Sequence, residues 1–226
     1  MPDLIAAIST CEVTNYDGLK SRMEDGQLDR SRWIRETWLP KARRLCDVRF
    51  FYADPTPCPI PWSREFGDRI DLVGIPDGYA NLTTKTWAMF KWVYDRGYGH
   101  MLKLDDDNLL HIGRFLASDY EQHDYVGNEH QGTLSDGTET TYASGAGYVL
   151  SRKAIKVLLD HEIPPDWAED RQVGLILREG GIQLHDDKRY VMCACTDCLP
   201  KLPADYITMH CIPPNSMKEI YEKATA

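Results

Sequence analysis

The 226-residue sequence contains no apolar run of the roughly 20 residues that a membrane-spanning helix needs. It also lacks an excess of positive charge: its formal net charge is −9, whereas duplex-binding proteins normally carry a basic surface. The first ten residues lack the basic segment of a secretion signal and include Asp3, so we expect a core strand there. These absences argue against a membrane segment and against nucleic acid as a partner.

The cysteine count is odd, seven in all, and no secretion signal is evident, so a complete disulfide framework is not expected. Four cysteines fall late, and they could supply the ligands of a structural Zn²⁺ ion, although their spacing is not that of a standard zinc knuckle. Disulfides in a secreted protein, or simple burial, are the alternatives. These residues are Cys193, Cys195, Cys198 and Cys211.

Apolar segments with the length of strands alternate with helical patterns through the first half of the chain, which predicts an α/β fold with a parallel sheet. Pro40 should kink or end the first helix, and Asn81 and Ser151 should cap two later ones. We predict strands at 4–9, 47–52, 69–75, 100–104, 125–127 and 142–151. We predict helices at 30–44, 81–96, 151–161 and 169–178, and a short strand and a last helix within 205–226.

Three consecutive aspartates, Asp105, Asp106 and Asp107, follow the strand predicted at 100–104. Ligands of open α/β sheets bind at the carboxyl ends of strands, and adjacent carboxylates repel one another unless a cation lies among them. Oxygen ligands of this kind suit Mg²⁺ or Mn²⁺, which could neutralise a diphosphate. A solvated turn is the alternative interpretation of the triplet.

Further blocks of sequence fall in a fixed order around this triplet, and together they resemble the β-1,3-glycosyltransferase family. That family includes β-1,3-galactosyltransferases, β-1,3-N-acetylglucosaminyltransferases and, more distantly, Fringe. The blocks are IRETW at 34–38, DGYANLTTKT at 77–86, KLDDD at 103–107, SGAGYVLS at 144–151, ED at 169–170 with VG at 173–174, and His210 before two prolines. The pattern departs from the family at Ser31, where Arg is usual, and at Arg171, where Val is usual.

The resemblance implies a GT-A glycosyltransferase fold, a single Rossmann-like α/β domain over 1–226 with a mostly parallel central sheet. Residues 1–108 would bind the nucleotide sugar and residues 109–226 the acceptor. The implied reaction is an inverting, metal-dependent transfer of a hexose or N-acetylhexosamine from a UDP-sugar to an acceptor hydroxyl, forming a β-1,3 linkage. Since the sequence shows no counterpart of the family's membrane anchor, we expect a cytoplasmic microbial or viral protein, or a soluble catalytic domain excised from a longer one.

The resemblance also implies roles for individual residues. Asp170 matches the catalytic base, and Asp107 and His210 match the ligands of Mn²⁺ (or Mg²⁺). The residues expected on the donor side are Asp105, Asp106, Lys103 and Arg35, and, by position alone, Thr10 near the uridine. Lys85 could face an acid or a phosphate. The residues expected near the acceptor or donor sugar are Gly145, Ala146, Gly147, Glu169 and Trp167.

Other functions stay open at this point. A non-catalytic nucleotide- or sugar-binding module on the same fold would keep the structural blocks but lose the base or a metal ligand. A metal-dependent phosphohydrolase or nuclease built on the triplet would normally gather more carboxylates and histidines than these motifs contain. A viral enzyme of this type could instead glycosylate a hydroxylated nucleobase, although the acidic charge argues modestly against that acceptor.

Overall fold

In this computed structural model the described residues are 3–10, 31–59, 62–164, 168–192, 203–210 and 214–225, with the side chains of the last range described over 217–223. The helices are α1 Ser31–Glu36, α2 Leu39–Ala42, α3 Leu82–Asp95, α4 Ile112–Leu116, α5 Arg152–Leu159, α6 Glu169–Glu179 and α7 Pro214–Thr225, and short 3-10 helices span Tyr79–Asn81 and Tyr120–Gln122. The strands are β1 Leu4–Ser9, β2 Asp47–Asp54, β3 Trp62–Phe66, β4 Arg69–Val73, β5 His100–Asp105, β6 Leu109–Leu110, β7 Tyr125–Thr133, β8 Glu139–Ser151, β9 His185–Asp186, β10 Tyr190–Val191 and β11 Thr208–Met209.

Eight strands form one central sheet in the order β3-β4-β2-β1-β5-β8-β7-β9. All of them run in one direction except β3 and β8, which lie antiparallel to their neighbours. A second, three-stranded sheet has the order β10-β11-β6. The predicted α/β class with a mostly parallel central sheet is therefore confirmed.

Both faces of the central sheet are covered, so β1 is buried along its whole length and apolar from Leu4 to Ile8. Leu4, Ala6 and Ile8 face a core that also contains Ile34 of α1 and Ile220 of α7. The alternate residues of β1 face a second core on the other side, to which α3, α5 and α6 contribute Phe90, Ile155 and Leu177. The carboxyl ends of β1 and β5 meet at one edge of the sheet, where Ser9 pairs with Asp105.

The structure corrects some of the sequence predictions and confirms others. In place of the helix predicted at 30–44 there are two short helices, and Pro40 lies in the first turn of the second. Proline is tolerated there because the backbone N–H groups of a first turn have no acceptor within the helix. Asn81 does stand at the start of α3, but its side chain forms no capping hydrogen bond. Ser151 does cap α5, since its hydroxyl accepts from the backbone N–H of Ala154. Strand β3 was not predicted.

No described helix combines the length and hydrophobicity needed to cross a bilayer.

Candidate functional site

The aspartate triplet lies at the carboxyl edge of the central sheet and is held there by a polar turn. Asp105 ends β5, and its backbone N–H donates to the Oδ1 atom of the buried Asn108 at 2.7 Å. The indole Nε1 of Trp38 donates to the Asn108 carbonyl oxygen at 3.0 Å, so the first sequence block helps to hold the turn. Sequence reasoning missed Asn108, although it directly follows the triplet.

Thr10, directly after β1, approaches the middle residue of the triplet. Its Oγ1 donates to Oδ2 of Asp106 at 2.8 Å, and both side chains are buried. Lys85, from the first turn of α3, donates through Nζ to the backbone carbonyl oxygen of Thr10. The structure thus brings together two of the predicted donor-side residues, with Lys85 fixing the chain where β1 ends.

Lys103 lies in a buried cluster of charges beside the triplet. Its side chain is 3% exposed, and Nζ lies 2.9 Å from Oδ1 of Asp105 and 3.4 Å from Oε2 of Glu169. Burial alone would lower the pKa of Lys103, but the two carboxylates outweigh it and raise the pKa, so the ammonium is charged. The other carboxylate oxygen of Glu169 accepts from the Tyr148 hydroxyl, whose pKa burial and Glu169 raise well above its ordinary value.

Three sequence blocks therefore meet in this cluster: the strand with the triplet, the small-residue strand β8, and the first turn of α6. Tyr148 was not among the predicted site residues, yet it is the aromatic residue of the SGAGYVLS block. Its position within a matched block was the signal that could have found it.

Asp170 lies next to Glu169 in the first turn of α6 and is partly buried. Withdrawal from water, and then the negative charge of Glu169, raise its pKa from 3.8 to about 7. Lys103 and a hydrogen bond from the backbone N–H of Arg171 (2.9 Å to Oδ1) act in the opposite direction. A carboxylate that titrates near neutral pH can accept a proton there, which is the property a general base needs.

The exposed ring of Tyr79 is a further residue that sequence reasoning missed. Its partial burial raises the pKa of the phenol, and the negative charges of Asp170 and Asp105 act in the same direction, so the ring lies within their electrostatic reach. It is 54% exposed. Tyr79 stands within the matched block at 77–86, which was the available signal.

Asp107 and His210 lie together on another side of the triplet. Nδ1 of His210 is 3.8 Å from Oδ1 of Asp107 and also contacts the backbone carbonyl oxygen of Gly145. If Nδ1 carries the proton and donates to this carbonyl, Nε2 keeps its lone pair for a metal. Burial lowers the pKa of His210, which favours the neutral imidazole that metal ligation requires.

The side chains of Asp107 and His210 are ligands that fit Mn²⁺ or Mg²⁺ bound with a diphosphate. One carboxylate and one imidazole are too few ligands for a complete protein cage, but divalent ions at phosphate sites commonly take one or two protein ligands and complete their shell with phosphate oxygens and water. The mixed oxygen and nitrogen set suits Mn²⁺ better than Mg²⁺.

The small residues at 144–147 form a bulge in β8 opposite β7. The pairing of Gly127 with Tyr148 is followed by that of Glu129 with Ala143, so β8 contributes extra residues between the two pairs. Gly147 has φ 101, and a Cβ atom there would lie 2.7 Å from the Leu104 side chain. Bulges of this kind often redirect a strand beside an active site.

Gly145 and Ala146 bring the bulge against the strand that precedes His210. A Cβ atom on Gly145 would lie 3.0 Å from Cε1 of His210, so the glycine leaves room for the imidazole. The carbonyl oxygen of Ala146 accepts from Oγ1 of Thr208 at 2.6 Å. The small residues thus position the His210 ring at the triplet, a use that the sequence alone did not indicate.

The contacts found for Arg35 among the described residues lie away from this cluster. Its guanidinium pairs with Asp68, with Nη1 2.6 Å from Oδ2, and lies 4.3 Å from the centre of the Phe50 ring. These contacts tie α1 to the sheet. Trp167 and the four late cysteines (Cys193, Cys195, Cys198 and Cys211) lie outside the described residues, so their predicted roles stay predictions.

No family model matches the sequence. Among solved structures, the chain is similar to a glycosyltransferase involved in the glycosylation of the major capsid of PBCV-1, with a TM-score of 0.48 and 13% identity over 99% of this chain and 100% of that one. It is also similar to the galactosyltransferase LgtC in complex with donor and acceptor sugar analogues, with a TM-score of 0.45 and 14% identity over 99% and 96% of the two chains. A CMP:2-keto-3-deoxy-manno-octonic acid synthetase complexed with CTP shows a TM-score of 0.46 and 10% identity over 81% and 88%.

The names of these three proteins refer to sugars or sugar nucleotides, but they do not describe one common reaction. At such TM-scores and identities, the likeness assigns neither a reaction nor a residue role to this chain. None of the three names refers to a β-1,3 transfer, so the family that the sequence blocks resemble stays a proposal.

Proposed function

We propose that this protein is a glycosyltransferase with a GT-A fold that moves a hexose or N-acetylhexosamine from a UDP-sugar onto an acceptor hydroxyl. One observation carries the proposal. At the carboxyl edge of the sheet, Asp170 has a pKa of about 7, and the His210 imidazole lies beside Asp107. The positive charge of Lys103 lowers the pKa of both Asp170 and His210, so the two residues lie around the same charge. A base and a neighbouring pair of metal ligands are the two components that a single displacement on a nucleotide sugar requires.

Asp107 and His210 would hold the divalent ion, Mn²⁺ or Mg²⁺. When bound, the ion would offset the negative charge that develops on the departing diphosphate. The buried Thr10–Asp106 hydrogen bond supports this assignment, because it keeps the turn that carries Asp107 in a fixed position at the end of β5. Thr10 remains our candidate for the uridine side, on position alone; the residues just after it, which share this prediction, lie outside the described part of the chain.

Asp170 would act on the acceptor. Its carboxylate takes the proton of the acceptor hydroxyl while the hydroxyl oxygen forms a bond to the anomeric carbon of the donor. The bond between that carbon and the β-phosphate oxygen breaks, and its electron pair leaves with UDP. Because this is one in-line displacement, the configuration at the anomeric carbon inverts.

The buried charges around Asp170 tune it for this task. Glu169 raises the pKa of Asp170, and Lys103 lowers it. Lys103 is held between Asp105 and Glu169, so its charge is fixed within the cluster when the proton moves. A preorganised charge of this kind costs no reorganisation during the reaction. The β-1,3 linkage, in contrast, rests on the sequence resemblance alone.

A non-catalytic binding module is the rival function. Such a module would tolerate loss of the base or of a metal ligand, whereas Asp107, Asp170 and His210 all lie around one charge cluster in this chain. The rival is distinguished by turnover, since a binding module would bind UDP without releasing it from a UDP-sugar.

Calorimetric titration with UDP, with and without Mn²⁺, tests the proposal. We expect metal-dependent UDP binding in the unaltered protein, and at least a tenfold loss of affinity in Asp107→Ala, which removes one of two protein ligands. Asp95→Ala is the matched control, because Asp95 is an exposed aspartate at the far end of α3, paired only with Lys91 of its own helix among the described residues. If UDP fails to bind with any divalent ion, the transferase assignment is wrong.

A panel of UDP-sugars with candidate acceptors then identifies the substrates. We expect Asp170→Asn to bind UDP with Mn²⁺ as tightly as the unaltered protein while transferring no sugar at a measurable rate. Binding without turnover in the unaltered protein, across the whole panel, would favour the binding module.

A further inference from the structure

A second group of metal-ligating side chains lies on the other side of the molecule from the proposed donor site. Asp119, His123 and His185 each offer one ligand atom, and these atoms all lie within 4.8 Å of one another. Nε2 of His123 is 3.6 Å from Oδ2 of Asp119. The rings of His123 and His185 stack with their centres 3.7 Å apart and their planes 10° from parallel. Within the described ranges, this is the one cluster of three such side chains that is compact enough to share an ion.

Two separate pieces of backbone hold the cluster together. Asp119 and His123 flank the 3-10 helix Tyr120–Gln122, which is anchored by stacking of the buried Tyr120 ring on Phe115, with centres 4.5 Å apart. His185 belongs to β9, which pairs with β7 so that His185 stands opposite Val126. Asp119 and His123 lie in the connection between α4 and β7, where the backbone N–H of Gln122 donates to the Asp119 carbonyl oxygen (2.9 Å) and that of His123 to the Tyr120 carbonyl oxygen (3.3 Å). His185 is positioned by its pairing in the sheet.

The cluster lies at the amino edge of the sheet. The residues just after it begin β7, where Tyr125 pairs with Leu150, and Leu150 in turn pairs with Met101 near the start of β5. The aspartate triplet lies at the opposite end of β5. An ion bound at this edge is consequently distinct from one bound by Asp107 and His210.

The ligand chemistry at this edge differs from that of the donor site. Two imidazoles and one carboxylate form the set that Zn²⁺, Ni²⁺ or Cu²⁺ prefer, whereas Mn²⁺ and Mg²⁺ prefer oxygen ligands. Three protein ligands leave a fourth tetrahedral position for water. Asp119 is exposed and both histidines are partly exposed, so an ion has a path to the site.

We propose that Asp119, His123 and His185 form a zinc-binding site that joins β9, the edge strand of the central sheet, to the segment before β7. Ligand atoms on a tetrahedral zinc ion lie about 3.4 Å apart, so binding requires the side chains to rotate inward from their present separation. The two imidazoles give up their parallel stack when they turn their nitrogens towards one ion. The ion closes a long loop in the chain and reinforces a strand of only two residues.

Zinc titration of metal-free protein tests this site, with the melting temperature as a second readout. We expect the unaltered protein to bind zinc at this site and to melt about 5–10 °C higher at a hundredfold excess over Kd. His185→Ala should weaken this binding at least tenfold and abolish the rise in melting temperature. His161→Ala is the matched control, because His161 is an exposed histidine whose Nδ1 contacts the Val157 carbonyl oxygen at the end of α5.

Two further variants make the result decisive. Asp107→Ala should keep the zinc effect, since it alters only the donor site, and this result would stand even if the proposed transferase activity were wrong. If His185→Ala does not fold, His123→Ala replaces it, with the same expected loss. The proposal is overturned if both histidine variants bind zinc as the unaltered protein does.

Cobalt substitution separates this site from the late cysteines. Co²⁺ bound by imidazole and carboxylate lacks the intense near-ultraviolet thiolate bands that cysteine ligands produce. We expect a Co²⁺ spectrum without these bands that is lost in His185→Ala. Thiolate bands that persist in His185→Ala, with no other bound Co²⁺, would place the ion on cysteines and refute the site.

Discussion

Replacing Asp170 by asparagine should stop turnover and should stabilise the protein, by more above neutral pH than below it. The side chain keeps its size, but it can no longer ionise or accept a proton from the acceptor. General bases typically contribute about 10²–10⁴-fold to the rate, so kcat should fall by at least a hundredfold while UDP affinity is retained. In the unaltered protein, the kcat/KM of the proposed transfer should fall on the acid side of about pH 7, where Asp170 becomes protonated.

The gain in stability follows from the raised pKa of Asp170. A carboxyl group that titrates at 3.8 when unfolded and at about 7 when folded costs the folded state free energy once the unfolded chain has ionised. The cost is absent well below the unfolded pKa, grows as pH rises between the two values, and is constant above the folded one. It amounts to roughly 2 kcal/mol near pH 5 and roughly 4 kcal/mol near pH 8, the latter being an upper limit.

Urea unfolding of both proteins at these two pH values measures the difference. We expect Asp170→Asn to gain about 2 kcal/mol more, relative to the unaltered protein, near pH 8 than near pH 5. Asp95→Asn, which alters an exposed aspartate at the far end of α3, is the control for the substitution itself. A difference between Asp170→Asn and the unaltered protein that does not change with pH would refute the raised pKa, and with it the tuning of Asp170 as a base.

Two further substitutions probe the cluster and the bulge. Lys103→Met should destabilise the protein by about 3–5 kcal/mol in urea unfolding, because it leaves the buried Glu169 and the partly buried Asp105 without their cation. Lys91→Met, on the exposed face of α3, should cost less than about 0.5 kcal/mol, and equal costs would contradict the buried pairing. Gly145→Ala should displace the His210 ring and weaken Mn²⁺-dependent UDP binding about tenfold in calorimetry. Gly113→Ala, where a Cβ atom meets only ordinary contacts, should leave UDP binding unchanged. Unchanged binding in Gly145→Ala would show that the ring position is not critical.

Much of the sheet could be predicted because its strands are short apolar runs between polar turns. The strand predicted at 4–9 is β1 to the residue, and helix α3 differs from its prediction by a single residue at each end. The antiparallel edge strand β3 was missed because its residues are mostly exposed, so its sequence shows no apolar run. Edge strands form through backbone pairing with a neighbour, which local sequence does not reveal.

The candidate site was only partly visible in the sequence. Order along the chain indicated that Asp107, Asp170 and His210 belong to one site, through the resemblance to a family. It could not indicate that Lys103 pairs with Glu169, because those residues are far apart in the chain and become partners only when α6 packs on β8. The same is true of the pKa of Asp170, which depends on how much water the fold removes.

By itself, the sequence determined the α/β class, the apolar strands and the breaks between helices, since these follow from local periodicity and from residues such as Pro40. Only the tertiary structure decided which charged side chains are buried together and which lie at the same edge of the sheet. His123 and His185 illustrate the difference: each is unremarkable in its own segment, and only the pairing of β9 with β7 stacks their rings. Interactions between distant residues depend on the distances that folding sets, so they cannot be read from the order of residues alone.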